Sequence, residues 1–484
     1  MTENLVKKTA FGIGWNILSQ GSQQVIRFVI IIILARLLNP ADFGIFAMVM
    51  VFTEFIKPFR EWGFQAALIQ KEDIDHEYQS TAFWSICGLA VILYLVSLAA
   101  APFVGWFFHS PLVAQIIPVV AIVFLFSPFG AVQWAMFNRK LDFKIIAFLD
   151  TASTLCYGIC ACALALNGFG VWSLAVATVV RELVYSLLFW FSYSWRPLFS
   201  FSIKKFRELL SFSVACMGAG TLNYGINNFD NIMVGKFLGT APLGFYNMAL
   251  NTVTQPETRI VSQISSVIFP VYSMIKGDVD RMREAYLKTV KVIAAITVPI
   301  ISVLFVAAPD FVTVFYGQKW LPAVLPIRIM CFYGLARAFM SIASPVFLSK
   351  GRPDIDLKLT IFRLCVFISC ISLGIRHGIA GVALGALAYS LISFVPTFYI
   401  CDKMLGIKNS KFYGIILKYT ALSLVIIVSL RAMNSYSPWI AGARPILRLA
   451  ADTAAGLCIY LALSFLLLRR DFDTFIKLGK KVFS

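Results

Sequence analysis

The sequence predicts an all-α polytopic membrane protein, with about fourteen transmembrane helices arranged as two pseudo-symmetric six-helix lobes and two C-terminal helices. Three observations predict this. Hydrophobic residues fill 59% of the 484 positions and charged residues only 14%, too few charges to clothe a soluble surface of that size. Apolar runs recur from one end to the other, each near or above the ~20 residues that a helix needs to cross a hydrocarbon layer of ~30 Å. The basic residues between those runs fall unevenly on alternate loops, as the positive-inside rule requires.

Taken in order, the expected spans are 11–37, 42–67, 79–107, 112–136, 144–166, 170–194, 208–238, 241–272, 286–308, 321–348, 356–376, 378–400, 412–432 and 446–468. The longer ones permit tilt. With the N-terminus inside, the cytoplasmic loops include "NRKLDFK", "SIKKFRE", "SKGRPDIDLK", "DKMLGIKNSK" and "RRDFDTFIKLGKK". The opposite side holds only Arg36, Lys236, Lys319, Arg376, Arg431, Arg444 and Arg448. An even count puts both termini in the cytoplasm, and the expected location is the cytoplasmic (inner) membrane. The amphipathic stretch "DVDRMREAYLKTVKV" (278–292) is expected to lie along the interface before the next span. The opening "MTENLVKKTAFGIGW" lacks the short apolar core and small-residue site of a cleaved signal peptide.

The formal net charge of +18 belongs to those loops rather than to a basic domain, so no nucleic acid is expected as partner. Most of the cysteines lie in apolar runs such as "LCYGICACALAL", and none forms a CxxC pair, which reads as packing. The three histidines, His76, His109 and His377, stand far apart, so no metal site is expected.

An internal repeat divides the chain. "LARLLNPADFGIFAMVM" (34–50) aligns with "VGKFLGTAPLGFYNMAL" (234–250) at an offset of 200, placing Arg36 over Lys236, Gly44 over Gly244 and Met48 over Met248. Near offset 208, "WFFHSPLVAQIIP" aligns with "VFYGQKWLPAVLP", with Pro118 over Pro326. The expected organisation is a lobe over 1–200, a second over 201–405, and two further helices with a basic tail over 406–484. Parallel repeats of this kind belong to transporters that rock one half against the other.

The first span carries a polar stripe. Asn16, Gln20, Gln23 and Arg27 fall four, three and four residues apart, which is one helix face. Lipid rejects such a face, because Arg near mid-bilayer costs at least ~3 kcal/mol, so it points to a bundle interior or a watery cavity. The seventh span repeats the pattern with Gly220, Asn223, Asn227 and Asp230. The second span has Glu54, Lys57, Arg60 and Glu61, of which Glu54, Lys57 and Glu61 are also spaced to neutralise one another. The eighth has Glu257 and Arg259. Pro58 and Pro256 are expected to interrupt these two helices. Asp150, Arg181 and Glu182 are secondary candidates, and Arg328, Arg337 and Arg363 read as cavity or bundle pairs.

Several stretches carry a resemblance: "LARLLNPADFGIFAMVMVF", "GFQAALIQKEDIDHEYQSTAFW", "NNFDNIMVGKFLGTAPLGFYNMALN" and "SSVIFPVYSMIKGD". They resemble the polysaccharide-transporter branch of the MOP flippase superfamily, closest to the Wzx-type, colanic-acid-exporter-like members, over nearly the whole chain. The resemblance implies a MATE-like V of two six-helix lobes with alternating access. It implies export of an undecaprenyl-diphosphate-linked oligosaccharide repeat unit for lipopolysaccharide O-antigen or exopolysaccharide, with a polysaccharide polymerase and glycosyltransferases as partners. Related peptidoglycan lipid flippases hold a pyrophosphate with cations on the first, second and eighth helices, where this chain has Arg27, Lys57 or Arg60, and Arg259. With Gln20, Gln23, Asn223 and Asn227 for sugar hydroxyls, these form the expected substrate cavity. Asp230, Glu54 and Glu257 are the ion-coupling candidates, for H+ or Na+, and no cofactor is expected.

Two rivals stand beside this reading. A MATE-like ion-coupled drug antiporter would line its cavity with acids for cationic substrates, whereas these candidates lean basic. A membrane-embedded polymerase or acyltransferase would need a large external loop or a buried histidine. The longest external loop is only "RAMNSYSPWIAGARP", and neither His109 nor His377 sits mid-span. The sequence therefore points to a transporter and not to an enzyme.

Overall fold

The apolar runs fold as helices because backbone N–H and C=O groups in hydrocarbon have only each other to bond. The computed structural model describes residues 21–61, 64–71, 74–210, 228–256, 261–407, 409–436 and 442–467. Among these there is no strand. Eight stretches of the described residues are long and apolar enough to cross a membrane, and nine if one bent pair counts as a span. The chain separates into two units, Met1–Gly244 and Phe245–Ser484.

The first unit begins with α1 (21–37), α2 (Pro40–Glu61), α3 (Phe64–Gln70) and α4 (His76–Phe107). The expected interruption at Pro58 does not occur, since α2 continues through it to Glu61. Next come α5 (Pro111–Phe126) and α6 (Pro128–Arg139), two helices where a single span over 112–136 was expected. They meet at a 48° bend, because Pro128 brings no amide hydrogen and so opens a fresh helix after Ser127. Then α7 (Phe143–Leu166) and α8 (Val171–Ser192) form a hairpin closed by Gly168 and Gly170, both at positive φ. The described part of α9 (203–210) and α10 (Phe229–Leu238) follow, and α11 (Thr240–Pro256) starts at the unit's end.

The repeat reappears in the backbone. One break falls at Leu38–Asn39 and the other at Gly239, so helices restart at Pro40 and Thr240, 200 residues apart. Gly44 lies against the Thr240 carbonyl and Gly244 against the Pro40 carbonyl. Each contact is the other's copy at the offset read from the sequence.

Asp75 caps α4, its carboxylate accepting from the Tyr78 amide at 2.8 Å. Lys205 Nζ donates to Asp75 and Glu77, both at 2.6 Å. The Lys205 ammonium, and then the Tyr78 amide, hold the Asp75 carboxyl below the usual carboxylate range. A depressed pKa contributes stability above the unfolded value of about 3.9 and loses it as pH falls through the folded one. Asp75→Asn is therefore expected to lower the melting temperature at neutral pH and to remove part of its acid-side slope. Added salt should shrink the difference, since the pair is exposed.

The second unit holds α12 (Ser262–Met274), α13 (Val279–Phe311), α14 (Val324–Met340), α15 (Ala343–Ser349), α16 (Pro353–Gly374), α17 (Gly378–Leu405), α18 (Asn409–Tyr436) and α19 (Pro445–Leu467). The stretch 278–292, expected along the interface, is instead the start of α13. Asp278 caps it by accepting from the Arg281 amide, and Met282, Tyr286, Val290 and Ile293 bury one continuous face in the core. That face, with steps of four, four and three, matches protein rather than the membrane surface.

Helices α16 and α17 pack through glycines. A Cβ on Gly374 would meet the Gly381 carbonyl oxygen at 2.3 Å, one on Gly381 the Gly374 oxygen at 2.2 Å, and one on Gly385 the Cys370 oxygen at 2.5 Å. Pairing of 374 with 381 and of 370 with 385 runs antiparallel, so Pro353–Leu405, counted above as one apolar stretch, is a hairpin. Small residues let membrane helices approach this closely. Gly385→Leu is expected to cost about 3 kcal/mol, read as a lower melting temperature in detergent.

Candidate functional site

The described part of the stripe, Gln23 and Arg27 on α1, faces α7. Its apolar continuation, Ile30, Leu34 and Leu38, is buried in a cluster with Ala161 and Ala165 of α7 and Leu174 and Ala177 of α8. Ile30 fits beside Gly158, where a Cβ would come within 2.4 Å of its Cδ1. Gln23 and Arg27 precede Ile30 by seven and three residues on the same face. The packing of Ile30 and Leu34 thus fixes where Gln23 and Arg27 point.

They point at polar groups on the neighbouring helices. Arg27 Nη2 stands 3.8 Å from Asp150 Oδ2, and Arg181 Nη2 donates to Asp150 Oδ1 at 3.0 Å. One turn away on α1, Gln23 Nε2 donates to Thr151 Oγ1 at 3.3 Å. The Thr151 hydroxyl gives its own proton to the Ala147 carbonyl. Two guanidinium groups therefore share one carboxylate. The Arg27, Asp150 and Arg181 side chains remain 39%, 25% and 38% exposed. Hydrocarbon would not tolerate that exposure, so these atoms meet water or a polar ligand.

The structure thus brings Gln23 and Arg27 together with Asp150, Thr151 and Arg181. The acid that meets Arg27 comes from another helix, and its partner Arg181 is a residue the sequence ranked second. The signal was present: Asp150 lies inside one apolar run and Arg181, beside Glu182, inside the next, a pattern that favours pairing.

The other candidates fall elsewhere. Asp230 lies buried in the first turn of α10, where Oδ1 accepts the Asn231 amide at 2.8 Å. Glu54 lies on α2, half-buried. Lys57 and Arg60 lie on the last turns of α2, and their side chains are outside the described set. Gln20, Asn223, Asn227, Glu257 and Arg259 lie outside the described residues. Arg328 donates to the Phe305 carbonyl, Arg337 to the Tyr333 hydroxyl and Arg363 to the Thr397 hydroxyl, all within the second unit. Among the described residues no group of three or more His, Cys, Asp or Glu is placed to hold a metal.

A helical membrane chain with a shared cation–carboxylate cluster inside its first unit has the form of a transporter with a polar substrate path. The chain belongs to the polysaccharide biosynthesis protein family, whose model matches residues 33–325. It is 25% identical to the lipopolysaccharide biosynthesis protein WzxC of Escherichia coli K12, covering 83% of this chain and 82% of the relative. It is also 25% identical to the teichuronic acid biosynthesis protein TuaB of Bacillus subtilis 168, over 99% of both chains. Its fold is similar to the lipid II flippase MurJ in an inward closed conformation, with a TM-score of 0.78 at 14% identity over 94% of this chain and 98% of that one. An inward-facing multidrug MATE transporter of the MOP superfamily gives 0.65 at 16% identity, over 79% of this chain and 94% of the other.

Proposed function

We propose that this chain is a flippase that carries an undecaprenyl-diphosphate-linked oligosaccharide repeat unit across the cytoplasmic membrane. The relatives named for lipopolysaccharide and teichuronic acid biosynthesis support a glycan precursor as cargo. The likeness to a lipid II flippase supports a fold able to accept such a lipid. The observation that carries the reading is the pair of arginines on one carboxylate inside the membrane helices. A diphosphate is anionic and takes planar, bidentate donors, which arginine supplies. A drug antiporter for cations would need the opposite excess.

In this reading fourteen helices form two lobes, 1–200 and 201–405, with the last two helices over 406–484, and both termini are cytoplasmic. The lobes alternate access to Arg27, Gln20, Gln23, Lys57, Arg60, Asn223, Asn227 and Arg259. Asp230, Glu54 and Glu257 couple the cycle to H+ or Na+. Glycosyltransferases supply the cargo and a polymerase consumes it.

Cells lacking the gene should accumulate polyprenyl-diphosphate oligosaccharide on the cytoplasmic side, measured by mass spectrometry of extracted lipids. Restoring the wild-type gene should clear it. Deletion without accumulation, with polymer made normally, would sink the flippase and bring the antiporter forward.

A further inference from the structure

The shared carboxylate stands between two guanidinium groups, one from α1 and one from α8. Asp150 gives one oxygen to each arginine: Oδ1 takes a hydrogen bond from Arg181 at 3.0 Å, and Oδ2 faces Arg27 at 3.8 Å. All three groups stay partly exposed. The two guanidinium groups are held at the separation that one small anion bridges. A diphosphate bridges in the same manner, with an oxygen from each phosphoryl group in place of the two carboxylate oxygens.

We propose that Asp150 is a built-in competitor for the diphosphate, and that Arg181 contacts the substrate together with Arg27. The proposal rests on the flippase reading and assigns the two residues their parts in it. In the empty protein Asp150 keeps both guanidinium groups aligned, so little ordering remains to be done when substrate arrives. The diphosphate enters by exchanging first with the looser contact, at Arg27. On release Asp150 closes again on both arginines and opposes rebinding. Thr151, next to Asp150 on α7, is tied to Gln23 of α1, so the helix that carries the competitor is linked to the helix that carries Arg27.

The test uses full-length protein in phosphatidylcholine nanodiscs, with undecaprenyl diphosphate as probe and undecaprenyl monophosphate for comparison. Arg181→Ala should weaken diphosphate binding about tenfold or more, as loss of a charge-assisted contact does, and Arg181→Lys should restore part of it. Asp150→Asn has the same size and lacks the competing charge. It should tighten binding by about tenfold while slowing repeat-unit export in cells. A purely structural Asp150 predicts the reverse, weaker binding in step with a lower melting temperature, and that result overturns the proposal. Diphosphate binding unchanged in Arg181→Ala and Asp150→Asn overturns it too, and leaves the flippase standing. Wild-type protein that binds neither lipid sinks both. If Arg181→Ala does not fold, Arg181→Lys and Asp150→Asn decide between the same outcomes.

Discussion

Alanine at Gly44 or Gly244 is expected to leave little folded protein. A Cβ on Gly44 would stand 1.7 Å from the Thr240 carbonyl oxygen, and one on Gly244 would stand 2.0 Å from the Pro40 oxygen. Both obstacles are backbone at the first turn of a helix, so no rotamer change relieves them. The start of α11 would have to leave α2. Overpacking of this kind costs about 3 kcal/mol or more, a large share of the 5–15 kcal/mol that typically separates folded from unfolded protein. Gly88 supplies the control. Nothing stands within 4 Å of a Cβ there, and alanine in a helix is favoured over glycine by about 1 kcal/mol. Fluorescence-detected size exclusion and thermal melts in detergent should show loss at both repeat glycines and none at Gly88. If Gly44→Ala melts with the wild type, the close approach of α2 and α11 is wrong.

Those two glycines also show how much of the fold the sequence carried. Gly44 and Gly244 align in the repeat, and they meet in space because each restarted helix needs the same close approach. Helical spans were legible because hydrocarbon leaves the backbone no alternative. Less legible were features decided by neighbours. The bend after Ser127 depends on a proline inside a run whose hydropathy is continuous across it. The fate of 278–292 depends on whether its apolar face meets lipid headgroups or protein, and Tyr286 and Phe412 stacking in the second unit's core settles that. Periodicity put Arg27 on one face with Gln23, and that face meets α7. It could not name Asp150 as its partner, because nothing in a single helix reveals which other helix it packs against.

Arg27→Ala is expected to abolish most export while leaving the fold intact. Asp150 keeps its hydrogen bond to Arg181 in that variant, so no buried carboxylate loses its only cation. The stripe below also stays packed, through Ile30 and Leu34. What is lost is one planar fork of donors for the diphosphate. Charge-assisted hydrogen bonds are each worth about 1.5–3 kcal/mol, so one lost contact should cut transport about ten- to hundredfold. Arg27→Lys retains the charge but not the fork, and should fall between wild type and alanine. The readout is the ratio of lipid-linked oligosaccharide to finished polymer in cells lacking the chromosomal gene, with each variant matched for membrane abundance. Export unchanged in Arg27→Ala, at equal abundance, would remove Arg27 from the substrate path. The pairing with Asp150 would then be a contact between α1 and α7 and nothing more.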